Sequence, residues 1–140
     1  MIDENLTSII VSTILQEFPS GQGIYLFGSF QTDQEWKDSD VDLALLLPYS
    51  IAKQRPFLYN STCLSRLERE LNKEVDLVNL RTVSTVFQFQ VITRGRLIYM
   101  GDENAVQEFE MLTLSFYQKL NEERRDILKA FLKTGRAYNV

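Results

Sequence analysis

Apolar and polar positions alternate along the chain with two periods, one typical of helices and the other of strands. From about residue 5 to 18, apolar side chains recur every three or four positions, which predicts an amphipathic helix that ends near Pro19. The short run 23–28 is apolar and bounded by glycine, and its Ile, Tyr and Phe content predicts a buried strand. The run 40–47 predicts a second strand, which is apolar on both faces beyond Asp42 and therefore central.

The same alternation continues in the second half of the chain. The range 56–72 predicts a helix, because it opens with proline, which suits a first helical turn. The range 74–80 predicts a third strand. A short helix capped by Thr82 or Ser84 follows, and 96–100 predicts a fourth strand.

The last predicted element is a helix that is long for a small domain. Helical spacing persists from about 103 to 134, and Asp102 is placed to cap the helix. Such a helix has more apolar surface than a small sheet covers, so part of it is expected to contact a partner. Aromatic residues on a helix more often belong to the core, and here they are Phe109, Phe116, Tyr117 and Phe131.

These elements predict a fold of the α/β (α+β) class. We expect a small mixed sheet of about four strands, flanked by helices and followed by the long C-terminal helix. The chain has 140 residues, close to the usual size of one folding unit, so one domain over 1–140 is expected.

Composition and charge exclude several classes of function. The net charge of −4 gives no general attraction to nucleic acid or anionic membranes, and no stretch approaches the roughly 20 apolar residues of a membrane span. The chain contains no histidine, so catalysis would depend on carboxylates. The single Cys63 cannot form an internal disulfide, which predicts a buried apolar thiol in the reducing cytoplasm.

Aspartates in the predicted strands are the main candidates for chemistry. Residues i and i+2 of a strand share a face, so Asp40 and Asp42 would present two carboxylates side by side. A cation between them would relieve their repulsion, and Mg²⁺ prefers carboxylate oxygens. Asp76 is a candidate third ligand, or else the partner of a structural ion pair with Arg81 or Lys73. A turn or capping pair on a solvated edge is the alternative for the first two aspartates.

Gly28 and Ser29 end the first predicted strand and form a candidate phosphate-binding corner. Glycine lets a phosphate approach the backbone, and the serine hydroxyl adds a hydrogen-bond donor. Alone, such a pair is more often a simple turn. Ten residues, 30–39, separate the pair from Asp40, and this spacing favours a joint phosphate and metal site. Trp36 in this segment is more often a packing residue than a platform for adenine.

The combination of Gly-Ser, ten residues, Asp-Val-Asp and a later aspartate resembles the signature of the DNA polymerase β-like nucleotidyltransferase superfamily. The short length makes the chain similar to the minimal nucleotidyltransferase branch, the MntA-type antitoxins of HEPN/MNT toxin–antitoxin systems. The similarity extends to the initial helix and to the segments 24–30, 75–81, 84–86 and 116–120. It implies the nucleotidyltransferase fold.

The resemblance also implies an activity and residue roles. Similar antitoxins use ATP and Mg²⁺ to transfer AMP to a tyrosine of a HEPN ribonuclease toxin, which silences the toxin. Gly28 and Ser29 would then hold the triphosphate, and Asp40 and Asp42 would bind two Mg²⁺ ions. Asp76 would hold the ion near the incoming hydroxyl and accept its proton. The implied setting is a cytoplasmic hetero-oligomer with the toxin, without direct nucleic acid or membrane contact.

One segment departs from the family pattern, and two other functions stay open. Many members have a small residue, an arginine and a glycine after the Gly-Ser-aromatic element, where this chain has 31–36. How the triphosphate is gripped is therefore open, and the available basic residues are Lys37, Lys53, Arg55 and Arg81. The alternatives are an antitoxin that only masks its toxin and a nucleotidyltransferase for a small molecule such as an aminoglycoside.

Overall fold

The computed structural model describes residues 4–28 and 40–134, in which helices alternate with strands. The helices are α1 (Glu4–Glu17), α2 (Tyr49–Gln54), α3 (Thr62–Leu71), α4 (Thr85–Arg94) and α5 (Glu103–Thr134). The strands are β1 (Gly23–Phe27), β2 (Val41–Leu46), β3 (Val75–Asn79) and β4 (Arg96–Met100).

The four strands form one mixed sheet in the order β3-β2-β1-β4. β1 is antiparallel to both of its neighbours, β2 and β4. β3 is parallel to β2, and the chain makes this parallel connection through α2 and α3. The predicted fold class, a small mixed sheet of four strands with flanking helices, is confirmed.

Each face of the sheet is covered by a different pair of helices. On the α1/α3 face, alternate strand residues pack with the helices, among them Ile24, Leu26, Leu43, Leu45 and Leu77. On the α4/α5 face, the intervening strand residues Tyr25, Ala44 and Leu46 pack in a second cluster with Val91 of α4 and Phe109 of α5. Because both faces are apolar, β2 is buried almost throughout, as its sequence predicts.

The long helix α5 joins this core only through its first part. Phe109 is buried, and the ring of Tyr117 stacks on Phe89 with the centroids 3.7 Å apart. Phe116 is 55% exposed, and large apolar side chains continue to be exposed as far as Leu132. The first part of α5 therefore contributes to the core, and the rest of the helix has the exposed apolar surface that its length predicts. No helix among residues 4–28 and 40–134 combines the length and apolar character needed to cross a membrane.

The prediction of one helix over 56–72 is wrong. α3 begins only at Thr62, and a separate short helix, α2, precedes the loop 55–61. Two side chains from the end of β3 and the turn after it hold this loop: Asn79 Nδ2 donates to the Arg55 carbonyl at 2.9 Å, and Thr82 Oγ1 donates to the Pro56 carbonyl at 2.9 Å. Local sequence patterns do not contain information on such contacts between distant residues, and Pro56 by itself is typical of a helix start.

The predicted helix caps are mostly confirmed. The Ser84 hydroxyl accepts a hydrogen bond from the Phe87 amide and caps α4, whereas Thr82 is engaged with the preceding loop. Asp102 Oδ1 accepts from the Ala105 amide at 3.0 Å and caps α5. Cys63 is buried, and burial raises the pKa of its thiol to about 11, consistent with the predicted structural thiol.

A core substitution measures how much the α1/α3 face contributes to stability. Leu43 is fully buried in the centre of this face, so Leu43→Ala is expected to lower the free energy of unfolding by about 2 to 5 kcal/mol. Leu132 is 71% exposed, and Leu132→Ala is the matched control, with an expected change within about 0.5 kcal/mol. Urea unfolding checks both values, and equal effects of the two variants would contradict this core.

Candidate functional site

The strands that carry the candidate aspartates are parallel neighbours in the sheet. Asp42 of β2 pairs in register with Asp76 of β3, and on the other side Asp42 pairs with Phe27 of β1. Paired residues of neighbouring strands share a face and lie about 5 Å apart. Ala44 and Val78, two positions further along each strand, pack on the α4/α5 face, so the two carboxylates belong to this face. The register thus brings together two acidic groups from distant parts of the sequence.

The acidic groups affect one another electrostatically. Asp42 is half-buried, whereas Asp40, just before β2, and Asp76 are exposed. Partial burial raises the pKa of the Asp42 carboxyl, and the negative charges of Asp76 and Asp40 raise it further. All three predicted aspartates therefore contribute to one region of negative potential at the start of β2 and β3.

Gly28 lies directly after β1 and against the Asp42 carboxylate. Its φ is +81°, a conformation that side chains disfavour. A Cβ at this position would lie 2.2 Å from Asp42 Oδ2. Besides allowing a phosphate to approach the backbone, as the sequence predicts, the missing Cβ leaves room for the Asp42 carboxylate, with which a side chain here would collide. Ser29, the second residue of the predicted corner, lies outside the described residues.

The aspartate carboxylates suit a hard divalent cation whose remaining ligands are water and phosphate oxygens. In the described part of the chain, no group of three acidic or cysteine side chains is by itself arranged to hold a metal ion. Mg²⁺ commonly takes only one or two protein carboxylates and fills its other positions with water and substrate phosphate. The pKa of Asp42 is raised first by partial burial and then by the negative charges of Asp76 and Asp40, and a cation would offset that negative potential. The residues present therefore fit Mg²⁺ bound together with a phosphate substrate.

Arg81 is remote from the aspartates. Its Nε donates to the Leu47 carbonyl, and its Nη2 donates to Gln22 Oε1 at 2.8 Å. Leu47 follows Asp42 by five residues along an extended chain, a separation of about 16 Å. Arg81 also follows the end of β3, whereas Asp76 lies near its start, so the structure does not support an Asp76–Arg81 ion pair. The arginine stabilises the opposite end of the sheet.

Of the other basic candidates, the two that the structure describes, Arg55 and Lys53, do not lie beside Asp42 either. Arg55 forms an ion pair with Glu17 at 3.0 Å. Lys53 belongs to α2, which follows the far end of β2. Lys37 and Trp36 lie outside the described residues, as does the whole segment 31–36 that departs from the family pattern.

A groove that the sequence did not predict lies beside Asp76. Its volume is about 220 Å³, and its lining includes Asp76, Val78, Phe57 and Tyr59. Phe57 and Tyr59 are 69% and 73% exposed, and their ring centroids lie 6.2 Å apart. The predicted helix 56–72 would contain both rings, although Pro56 and Asn60 around them are residues that favour a loop.

Comparison with known proteins identifies the family. The family model described as polymerase beta, nucleotidyltransferase matches residues 10–104, which include the glycine and the three aspartates discussed above. The chain belongs to the polymerase beta nucleotidyltransferase family. The nucleotidyltransferase fold that the motif implied is therefore confirmed, and the acidic groups of β2 and β3 lie inside the matched region.

Relatives within the nucleotidyltransferase family cover most of the chain. The protein adenylyltransferase MntA of Shewanella oneidensis is 33% identical over 119 residues, which are 85% of this chain and 82% of that protein. A toxin–antitoxin structure with AMP-PNP gives a TM-score of 0.68 at 31% identity and covers 94% of this chain and 99% of that one. A complex of an MNT antitoxin with a tri-AMPylated Shewanella oneidensis HEPN toxin gives 0.66 at 30% identity, with coverage of 94% and 99%. The resemblance to MntA-type nucleotidyltransferases is confirmed.

Removing one charge from the site should stabilise the cation-free protein. Asp42→Asn relieves the repulsion from Asp76, so the free energy of unfolding in chelator is expected to rise by about 0.5 to 1 kcal/mol at pH 7. A carboxyl group whose pKa is higher in the folded than in the unfolded state lowers the free energy of unfolding once the pH rises above its unfolded-state pKa. The gain should therefore diminish as the pH falls and be absent below the ordinary carboxyl pKa of 3.8.

Urea unfolding across this pH range checks the expectation. Asp126→Asn, on the exposed surface of α5, is the control and should change the free energy of unfolding by no more than a few tenths of a kcal/mol. A loss of stability in Asp42→Asn at pH 7 would show that its carboxylate has a structural role instead.

Gly28→Ala should disturb the site through the Asp42 side chain. The added methyl group would force the carboxylate away from its position, so affinity for AMP-PNP with Mg²⁺ is expected to fall about tenfold or more. Isothermal titration calorimetry measures this affinity, and circular dichroism checks that the variant is folded. Unchanged nucleotide affinity in the folded variant would contradict the close contact.

Proposed function

We propose that this chain is the antitoxin of a toxin–antitoxin pair and that it silences a HEPN ribonuclease toxin by AMPylation. It would transfer AMP from ATP to a toxin tyrosine in a Mg²⁺-dependent reaction. The observation that carries the proposal is the in-register pairing of Asp42 with Asp76 beside Gly28, in a member of the nucleotidyltransferase family. The similarity to a protein adenylyltransferase and to antitoxins solved in complex with their toxins supports it.

Each residue of the site has a role in this proposal. Gly28 and Ser29 hold the triphosphate at the end of β1, and Asp40 and Asp42 hold two Mg²⁺ ions. Asp76 binds the ion on the acceptor side. When bound, Mg²⁺ neutralises phosphate charge and lowers the pKa of the attacking hydroxyl. Two metal ions sharing a carboxylate site explain why the fold keeps negatively charged groups next to one another.

The proposed reaction is a displacement at the α-phosphorus of ATP. The tyrosine oxygen forms a bond to this phosphorus while the bond to the bridging oxygen breaks, and pyrophosphate leaves. The Asp76 carboxylate accepts the proton of the tyrosine hydroxyl. This exposed side chain lies near the start of its strand, where an acceptor from a second protein can reach it. The reaction requires no histidine, in agreement with the composition of the chain.

The surface of α5 supports a stable complex with the toxin. Several large apolar side chains of this helix are exposed, including Met111, Leu114, Phe116, Leu128 and Leu132. Exposed apolar surface of this kind is typical of protein–protein interfaces. Because the reaction consumes ATP and its target is a ribonuclease, we place the complex in the cytoplasm.

Labelling of the toxin tests the proposal. Incubation with Mg²⁺ and ATP labelled at the α-phosphate should transfer label to the toxin, and Asp42→Asn should slow the transfer by about 100-fold or more because a metal ligand is lost. Glu70→Gln, a charge-removing change on the exposed surface of α3, is the control and should label at the wild-type rate.

Two results would contradict the proposal. Equal labelling by Asp42→Asn and the wild-type chain would exclude the aspartate site. Undiminished protection of cells by a folded Asp40→Asn/Asp42→Asn double variant would show that the antitoxin acts by masking its toxin without chemistry.

A further inference from the structure

We infer that the groove beside Asp76 receives the segment of the toxin that carries the acceptor tyrosine, and that Phe57 and Tyr59 recognise it. The inference rests on the proposed function and adds to it the residues that select the acceptor. Four observations carry it: the anchoring of the loop 55–61, the exposure of its two rings, the order of the strands and the size of the groove.

The loop that carries the two rings is fixed to the fold. Leu58, which lies between them in sequence, is 1% exposed and belongs to the core of the α1/α3 face. The carbonyl of Pro56 accepts a hydrogen bond from Thr82, and Asn79 donates to the carbonyl of Arg55. The loop is thus anchored at its centre and on the side that leads from α2, so the exposure of its rings is not a consequence of loose packing.

The two rings form an aromatic pair on the surface. Phe57 and Tyr59 are the most exposed aromatic side chains in the described part of the chain. Exposed aromatic rings on a fixed backbone lose little conformational entropy on binding, and such residues dominate the binding energy of many interfaces. Since these rings line the same groove as the Asp76 carboxylate, they lie where an acceptor side chain has to enter.

The order of the strands separates the two reactants. Gly28 follows β1, Asp42 lies on β2 and Asp76 on β3, which is the outer strand of the sheet. The phosphate corner and the groove are therefore on opposite flanks of the aspartate pair. In phosphoryl transfer the incoming and leaving oxygens are roughly in line on opposite sides of the phosphorus. The flank at Asp76 is thus the side from which the acceptor hydroxyl approaches.

The size of the groove favours a side chain over a nucleotide. Sites for small molecules usually measure about 300 to 1,000 Å³, whereas this groove measures about 220 Å³. Its lining is largely apolar, with the Leu77 and Val78 segment of β3 on one side and the Phe57 and Tyr59 loop on the other. A neutral phenol ring suits this lining, and its hydroxyl would be directed to Asp76.

Kinetics with the full chain and its toxin test the inference. Phe57→Ala and Tyr59→Ala should each lower kcat/KM for the toxin about tenfold while leaving the KM for ATP and the affinity for AMP-PNP within twofold of wild type. Tyr59→Phe keeps the ring and should recover most of the kcat/KM that Tyr59→Ala loses. Thermal unfolding should be nearly unchanged, because both rings are largely exposed.

The matched control is a substitution of an exposed apolar residue on the opposite side of the sheet. Met100 is 47% exposed at the end of β4 far from the aspartates, and Met100→Ala should leave all these constants unchanged. An unchanged kcat/KM for the toxin in both alanine variants would overturn the acceptor groove while the proposed function stands. A raised KM for ATP would overturn it in favour of a base-binding groove. Failure of the wild-type chain to label its toxin would overturn both proposals.

Discussion

The repulsion between two carboxylates, imposed by a parallel strand register, is the constraint on which the candidate site depends. Asp42 and Asp76 are paired because the apolar residues that follow them on β2 and β3 pack into the core, and a shift of one position would turn those residues to the wrong face. The folding energy of the sheet therefore holds the two charges together. Partial burial raises the pKa of Asp42, the negative charge of Asp76 raises it further, and a cation would offset this cost.

Three adjacent strands each supply one part of the site. β1 ends at Gly28, whose lack of a side chain makes room for the Asp42 carboxylate, and β3 brings Asp76 to the other side. Groups on neighbouring strands of a well-packed sheet keep their separation, which is the condition for precise positioning in catalysis. In the proposed reaction, the same strand order leaves the β1 flank for the phosphate groups and the β3 flank for the acceptor.

The helices on the two faces of the sheet have different roles. The α1/α3 face is closed by apolar packing and anchors the loop 55–61 through Leu58. The α4/α5 face holds the aspartates, and its long helix α5 extends beyond the sheet with exposed apolar residues. Both faces contribute buried apolar side chains to the core, whereas the chemistry and the partner contacts proposed for this nucleotidyltransferase lie on the α4/α5 face and at the sheet edge.

The sequence by itself determined most helices and strands and the acidic motif. The periods of apolar residues, the Ser84 and Asp102 caps and the Asp40–Asp42 spacing all depend on residues that are close together in the sequence. Only the tertiary structure decided which groups meet. The parallel register placed Asp76 beside Asp42, and the contacts of Thr82 and Asn79 turned a predicted helix start into an anchored loop. These contacts depend on packing between segments that are distant in the sequence, and the pattern of adjacent residues does not predict such packing.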